Sequence, residues 1–304
     1  MANSNGWGDG AANNAIGWGQ GANNAIGWGD IHADSWAGLT DIVGITTPPV
    51  DPDAQAFITA ASITDPTQQA AINQLVVDLK GYSIWTKMKA LYPFCGGSAS
   101  SHKFNLKDPR DLDAAFRLVF NGGWTHSSTG AQPNGTNGYA NTYLTPSTAL
   151  TLNSSQLSLY SRTSTITNGQ RDFGAYTNLN PPAIALGTNT GVFISDQYNY
   201  FTQRISASIT AATGFYTGTR TSATSHKLFK NGSVIGTDTS TNSTALPVLN
   251  LFLGAINSDL TNTPSSYSNK QYAFASIGDG LTDTEAANFY TAVQNFNTAL
   301  ARQV

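Results

Sequence analysis

From Phe94 to the C-terminus no apolar run is long, and Gly, Asn, Pro or Ser cuts each one off within a few residues. That punctuation leaves little room for amphipathic helices and reads as strands over 115–120, 140–143, 156–163, 172–175, 191–195, 203–208, 214–220, 226–230, 233–237, 248–255 and 268–277. So many short strands separated by turns specify a mainly β, two-sheet sandwich rather than βαβ units. The sharpest local signal is Lys227-Leu228-Phe229-Lys230-Asn231-Gly232-Ser233-Val234-Ile235. Asn-Gly between alternating apolar residues marks a two-residue hairpin, because both central residues must adopt positive φ. The chain closes with Leu281-Thr282-Asp283-Thr284-Glu285, a capping box that opens a helix over 286–300 with Phe289, Val293 and Phe296 on one face.

Ahead of the strands the texture differs. Thr64-Asp65-Pro66 with Gln68 and Gln69 reads as a helix start, and Ala71, Ile72, Leu75, Val76 and Leu79 follow at helical spacing up to Gly81. A second helix is expected through Ile84, Trp85, Met88 and Leu91, ending at Tyr92-Pro93, so that 46–94 forms a linker and helical neck. Residues 1–45 are a repeat: Gly6-Trp7-Gly8, Gly17-Trp18-Gly19 and Gly27-Trp28-Gly29 recur with Asn-Asn-Ala-Ile between them, and Trp36 sits in a degenerate last copy. Each unit offers one indole and, at Ile16 and Ile26, one aliphatic side chain, too little to bury alone. The repeat therefore reads as an attachment device, with Trp7, Trp18, Trp28, Trp36, Ile16 and Ile26 as its anchors. The expected division is 1–45 anchor, 46–94 neck, 95–304 sandwich.

Charge is scarce. Asp, Glu, Lys and Arg make up 11% of the chain, against about 25% in ordinary soluble domains. A net charge of −3 with no basic stripe gives nucleic-acid binding no electrostatic support. No apolar run is long enough for membrane insertion, and no leader with a basic region and an apolar stretch opens the chain. The single cysteine, Cys95, has no partner for a disulfide or a zinc site and reads as a buried small hydrophobe. A surface-type composition without leader or disulfides is what a virion component made in a bacterial cytoplasm and released by lysis would show.

Catalytic constellations are thin. His102 in Ser100-Ser101-His102-Lys103 and His126 in Trp124-Thr125-His126-Ser127-Ser128 have hydroxyl neighbours, but no Gly-x-Ser-x-Gly elbow accompanies them. Asp108, Arg110, Asp111 and Asp113 alternate in sign around a proline, which suits a turn held by local ion pairs better than the facing carboxylates of a glycosidase. The sole glutamate, Glu285, is used as a cap. No catalytic residue is assigned, and the chain reads as a non-enzyme.

The Leu228-Phe229-Lys230-Asn231-Gly232-Ser233-Val234 hairpin, and the late strand running into Ile277-Gly278-Asp279-Gly280-Leu281-Thr282-Asp283-Thr284-Glu285, together resemble the concanavalin A-like, laminin-G-like jelly roll over 110–304. The segment from Phe57-Ile58-Thr59 through Ser101-His102-Lys103-Phe104-Asn105-Leu106-Lys107-Asp108-Pro109-Arg110-Asp111-Leu112-Asp113 is similar to a module of tailed-bacteriophage virion proteins. So is Phe120-Asn121-Gly122-Gly123-Trp124-Thr125-His126, and the Gly-Trp-Gly repeats resemble the anchors that begin such proteins. The resemblance implies a structural virion protein, a tail fibre or tail appendage for host adsorption. A capsid head fibre or decoration protein and a glycan depolymerase are the alternatives it leaves open. It also implies other virion proteins as partners, a homotrimer whose helices at 67–91 pack around a three-fold axis, and a host-surface glycan as ligand. Some laminin-G-like domains carry calcium on aspartates. Asp172, Asp196, Asp238, Asp259 and Asp279 fall at strand ends or loops, but none matches a metal motif, so no cofactor is assigned. Among aromatics able to stack on a sugar, Trp124, Tyr198 and Tyr200 are singled out, with the two tyrosines expected to be an exposed pair.

Overall fold

The computed structural model describes residues 49–177, 183–199, 203–241, 245–258 and 262–304. The anchors Trp7, Trp18, Trp28, Trp36, Ile16 and Ile26, together with Tyr200 and Asp259, lie outside the described residues. The chain divides into two units between Pro49 and Val50, and the described residues belong almost entirely to the second.

Two helices begin where their caps dictate. Asp51 accepts the Asp53 N–H at 3.0 Å and opens α1 (Pro52–Ala60), and Asp65 accepts the N–H groups of Thr67 and Gln68 and opens α2 (Pro66–Gly81). The expected second neck helix is not one. Trp85–Lys87 is a single 3₁₀ turn, after which β1 (Met88–Tyr92) enters a sheet. The physical reason is burial on both sides: Met88 and Leu91 belong to one apolar cluster, and Ala90 and Tyr92 to another. A short run with no exposed face carries no period that separates helix from strand.

The remaining strands are β2 (Val119–Asn121), β3 (Trp124–Ser127), β4 (Gly130–Pro133), β5 (Tyr139–Asn141), β6 (Ser155–Ser161), β7 (Gln170–Tyr176), β8 (Ala183–Asn189), β9 (Val192–Asn199), β10 (Ile205–Ser208), β11 (Gly214–Ser222), β12 (Ser225–Lys230), β13 (Ser233–Asp238), β14 (Phe252–Leu253), β15 (Ile256–Ser258), β16 (Thr263–Ser265) and β17 (Tyr272–Gly278). They form two sheets. One runs β13-β12-β11-β6-β17-β4-β3, with β1 also on β17; the other runs β10-β9-β8-β7-β14-β5-β2, with the β15-β16 hairpin joined to β7. Pairing is antiparallel except between β15 and β7. This is the expected mainly β two-sheet sandwich. The Asn-Gly hairpin forms as read, with Asn231 and Gly232 at φ of 50° and 74° and Lys230 opposite Ser233. Sequence reading does not find β3, β4, β8, β15 or β16.

Between the sheets lies one apolar core, including Leu157, Leu159, Phe173, Leu186, Phe193 and Tyr216. A second lies on the other face of the first sheet, where Phe57, Ile72, Leu75 and Leu79 of the N-terminal helices join Phe215, Phe274, Phe289 and Phe296. The last two belong to α3, the C-terminal helix (Asp283–Ala299), which opens on the predicted Thr282/Glu285 capping box. The helices are thus a layer packed on the sandwich rather than a separate neck. The apolar residues reserved in sequence for a three-fold axis, Ala71, Ile72, Leu75, Val76 and Leu79, are buried within this chain.

Candidate functional site

The residues chosen for sugar stacking are not brought together. Tyr198 is 0% exposed and its ring sits in the inter-sheet core, so the expectation of an exposed tyrosine there is corrected. A bulge between β8 and β9 is the cause: Ile184 pairs with Gln197 and Ala183 with Asn199, leaving Tyr198 at φ 58° and turned inwards. Trp124 is half-buried on β3. Its Nε1–H donates to the carbonyls of Asn121 and Tyr139, both at 3.2 Å, and its ring lies 6.1 Å from His126 at an interplanar angle of 23°.

His126 in turn faces His102, Nδ1 to Nδ1 at 3.0 Å. Because the Gly97 N–H donates to His102 Nε2, His102 carries its proton on Nδ1 and donates it to His126. Burial, then the charges of His126 and Arg302, hold His102 down to about 3, so it stays neutral. The neighbouring Ser101 hydroxyl is spent on Ser98, inside a helix cap. A closer approach to nucleophile chemistry exists between the sheets, where Ser195 Oγ meets His226 Nε2 at 2.9 Å. Both residues are 0% exposed, so no substrate reaches them.

The acids are likewise committed. Asp108 pairs with Arg110, Asp111 with Lys103 and Arg117, and Asp113 with Arg117. Asp172 pairs with Lys270, Asp196 with Arg204 and Asp279 with Lys89, in separate parts of the sandwich. Among the described residues no three His, Cys, Asp or Glu side chains gather as a metal site.

What the fold does build is a cleft of about 270 Å³ on the outward face of the second sheet, lined by Arg171, Tyr176, Arg204, Ile256, Ser265 and Ser266. On β7 a bulge turns Asp172 inwards and Arg171 outwards, and alternation then places Tyr176 on the outward face, opposite to Phe173 and Ala175 of the core. Opposite Arg171 stands Gly187, where a Cβ would lie 3.1 Å from Arg171 Cδ and closer still to the Gln170 carbonyl. Only glycine leaves the long side chain that path across the sheet. The β15-β16 hairpin supplies the other wall, fixed by the Arg171 N–H donating to the Ser266 carbonyl at 2.8 Å. Arg204, just ahead of β10, clamps Asp196 of β9 with Nε and Nη2, the shortest contact being 2.6 Å.

The two guanidinium groups are not equivalent. Asp196 neutralises Arg204, whereas Arg171 donates one side-chain bond, from Nη1 to the Gln170 carbonyl at 3.0 Å, and has no carboxylate partner among the described residues. Burial first, and then the charge of Arg204, make the charged form of Arg171 less favourable than in water. The cleft thus combines a half-buried cation, hydroxyl groups, a phenol ring and an aliphatic side chain. None of its lining residues had been singled out from sequence. Their one sequence-level signal is arginine at or beside the strands of a chain so poor in charge. Their convergence depends on β8, which lies between β7 and β9 and was not foreseen.

The sequence matches no protein-family model and no curated protein. Among solved structures, it is similar to domain 4 of the extracellular arabinanase AbnA of Geobacillus stearothermophilus, solved with arabinotriose, at 12% identity and TM-score 0.42, covering 67% of this chain and 98% of that one. A mutant Trypanosoma rangeli sialidase displaying trans-sialidase activity is similar at 11% identity and TM-score 0.49, over 75% of this chain and 39% of its own. The botulinum neurotoxin type C structure, whose cell entry depends on two ganglioside molecules, is similar at 13% identity and TM-score 0.44, over 70% of this chain and 52% of its own. This chain therefore spans about two fifths and one half of the sialidase and neurotoxin chains. The likenesses are distant, and the two-sheet architecture stands on the strand pairing itself.

Proposed function

We propose that this chain is a recognition component of a tailed-bacteriophage virion, in which the sandwich binds glycan on the host surface and residues 1–45 hold the protein to the particle. The observation that carries the reading is the cleft of Arg171, Tyr176, Arg204, Ile256, Ser265 and Ser266, whose mixture of fixed polar groups and small apolar surfaces suits a polyhydroxylated ligand. Binding rather than hydrolysis is supported by the fate of the acids. Asp111 and Asp113 both serve Arg117, and Glu285 caps a helix while holding Lys87 at 2.6 Å. The particle assignment rests on the Gly-Trp-Gly repeats and on the resemblance of 57–126 to virion modules. A tail fibre or appendage is the role we favour, with a head fibre differing only in its mount.

The full chain, passed over an array of bacterial surface polysaccharides, is expected to be retained by at least one. Retention by none would remove the glycan reading. Gold-labelled antibody against the chain is expected to decorate tail structures of intact particles by electron microscopy, and unlabelled particles would remove the virion reading.

A further inference from the structure

We propose that the cleft is built for a sugar bearing a carboxylate, a hexuronate-type residue, with Arg171 as the group that grips the acid. The inference rests on the glycan-binding reading above and narrows it to a chemical class.

The argument starts from charge. In a chain with few ionisable groups, two arginines converge on one small cleft, and of the two only Arg204 pairs directly with a carboxylate among the described residues, Asp196 and Asp172 acting on Arg171 from farther off. Arg204 grips both oxygens of Asp196 with its Nε and Nη2. Arg171 spends Nη1 on a neutral backbone carbonyl, which leaves the rest of its planar fork for a ligand. A half-buried guanidinium beside a second one is a poorly solvated cation, and an anion arriving there gains more than it would at an open surface.

Shape selects among anions. A planar carboxylate matches the guanidinium fork with two parallel N–H···O bonds, while an isolated ion would leave the other walls unused. Those walls are Tyr176, whose ring offers apolar surface to the C–H face of a pyranose, the edge of Ile256, which is only 4% exposed, and Ser266, whose hydroxyl suits a ring hydroxyl, while the Ser265 hydroxyl is held by Ser258 Oγ at 2.9 Å. Ser266 is exposed and stands at the mouth of the cleft, so the ligand enters from solvent and the polymer continues outside.

The test uses the full chain and hexuronate oligosaccharides (galacturonate, glucuronate and mannuronate), each beside its carboxyl-reduced counterpart, which has the same stereochemistry without the charge. Dextran sulfate reports on sulfate. Calorimetry on the wild type is expected to favour one acid form over its reduced counterpart by about tenfold or more. Arg171→Gln should abolish that preference, Arg171→Lys should restore only part of it, and raised salt should shrink it. Unchanged thermal unfolding of the variants shows that the cleft, and not the fold, was altered. Equal binding of acid and reduced forms, an Arg171→Gln protein that keeps the preference, or a preference for dextran sulfate that ignores Arg171 would each overturn the proposal while leaving the glycan-binding reading standing. No retention of any glycan, acidic or neutral, would overturn both.

Discussion

At the scale of single residues, the molecule buries charge beside a partner: one oxygen of the buried Asp172 collects every bond given to that carboxylate, while its Oδ2 has no partner among the described residues. Lys270 lies between the sheets and donates to Asp172 Oδ1 at 2.9 Å, Gln170 Oε1 at 3.0 Å and Thr188 Oγ1 at 2.9 Å, while Ser268 and Tyr272 donate to the same aspartate oxygen. Replacing Lys270 with Met would strand the Asp172 charge in the core. The expected loss is roughly 3–5 kcal/mol, read as a lower urea midpoint. His102 and His226 set a pH dependence. Burial is the leading cause in each, and both are held down to about 3 from an ordinary 6.5. Between those values the unfolded chain binds more protons than the folded one, so stability is complete above 6.5 and falls as pH drops through the window. The slope should be on the order of 1 kcal/mol per pH unit for each histidine. Urea melts at pH 7 and pH 5 check this, and equal midpoints would show that neither imidazole is protected.

At the scale of elements, local chemistry decides turns and caps, and tertiary contact decides the rest. The Asn231-Gly232 turn is written into the sequence because few residue pairs tolerate two positive φ angles. Gly232 also lies against the C-terminal helix, where an added Cβ would come within 3.2 Å of Ala287 Cα. Gly232→Val should therefore cost about 1–2 kcal/mol through strain alone, more if the helix shifts, measured by chemical denaturation. Both α2 and α3 start at caps legible from Asp65 and from Thr282 with Glu285. The strand at Met88–Tyr92 was not legible, because its two buried faces erase the alternation that identifies a strand. The strand at Ala183–Asn189 was missed for a related reason, being buried on both faces over six of its seven residues.

At the scale of the whole molecule, the N-terminal helices are part of the folded unit. Phe274, Phe289 and Phe296 share their cluster with Leu75, Val76 and Leu79. A chain begun at Val50 keeps both N-terminal helices and is the reference for a shorter one. A chain begun at Ser83 would uncover that aromatic face and should aggregate or melt far lower, checked by size-exclusion chromatography and calorimetry. If the shorter chain melted like the longer one, the helices would after all be an appendage.

Local sequence settles the architecture class and its punctuation: many short strands, a two-residue hairpin and capped helices ahead of the sandwich and at its end. These are properties of a few neighbouring residues, and neighbouring residues are what a sequence displays. Which aromatics are hidden, as at Tyr198, and which polar groups meet, as at Arg171 and Arg204, emerges only once the sheets pack. Facing and convergence depend on bulges and on strand order across β7, β8 and β9. Those are set by the packing of two sheets against each other, a balance over many distant pairs that no local stretch records.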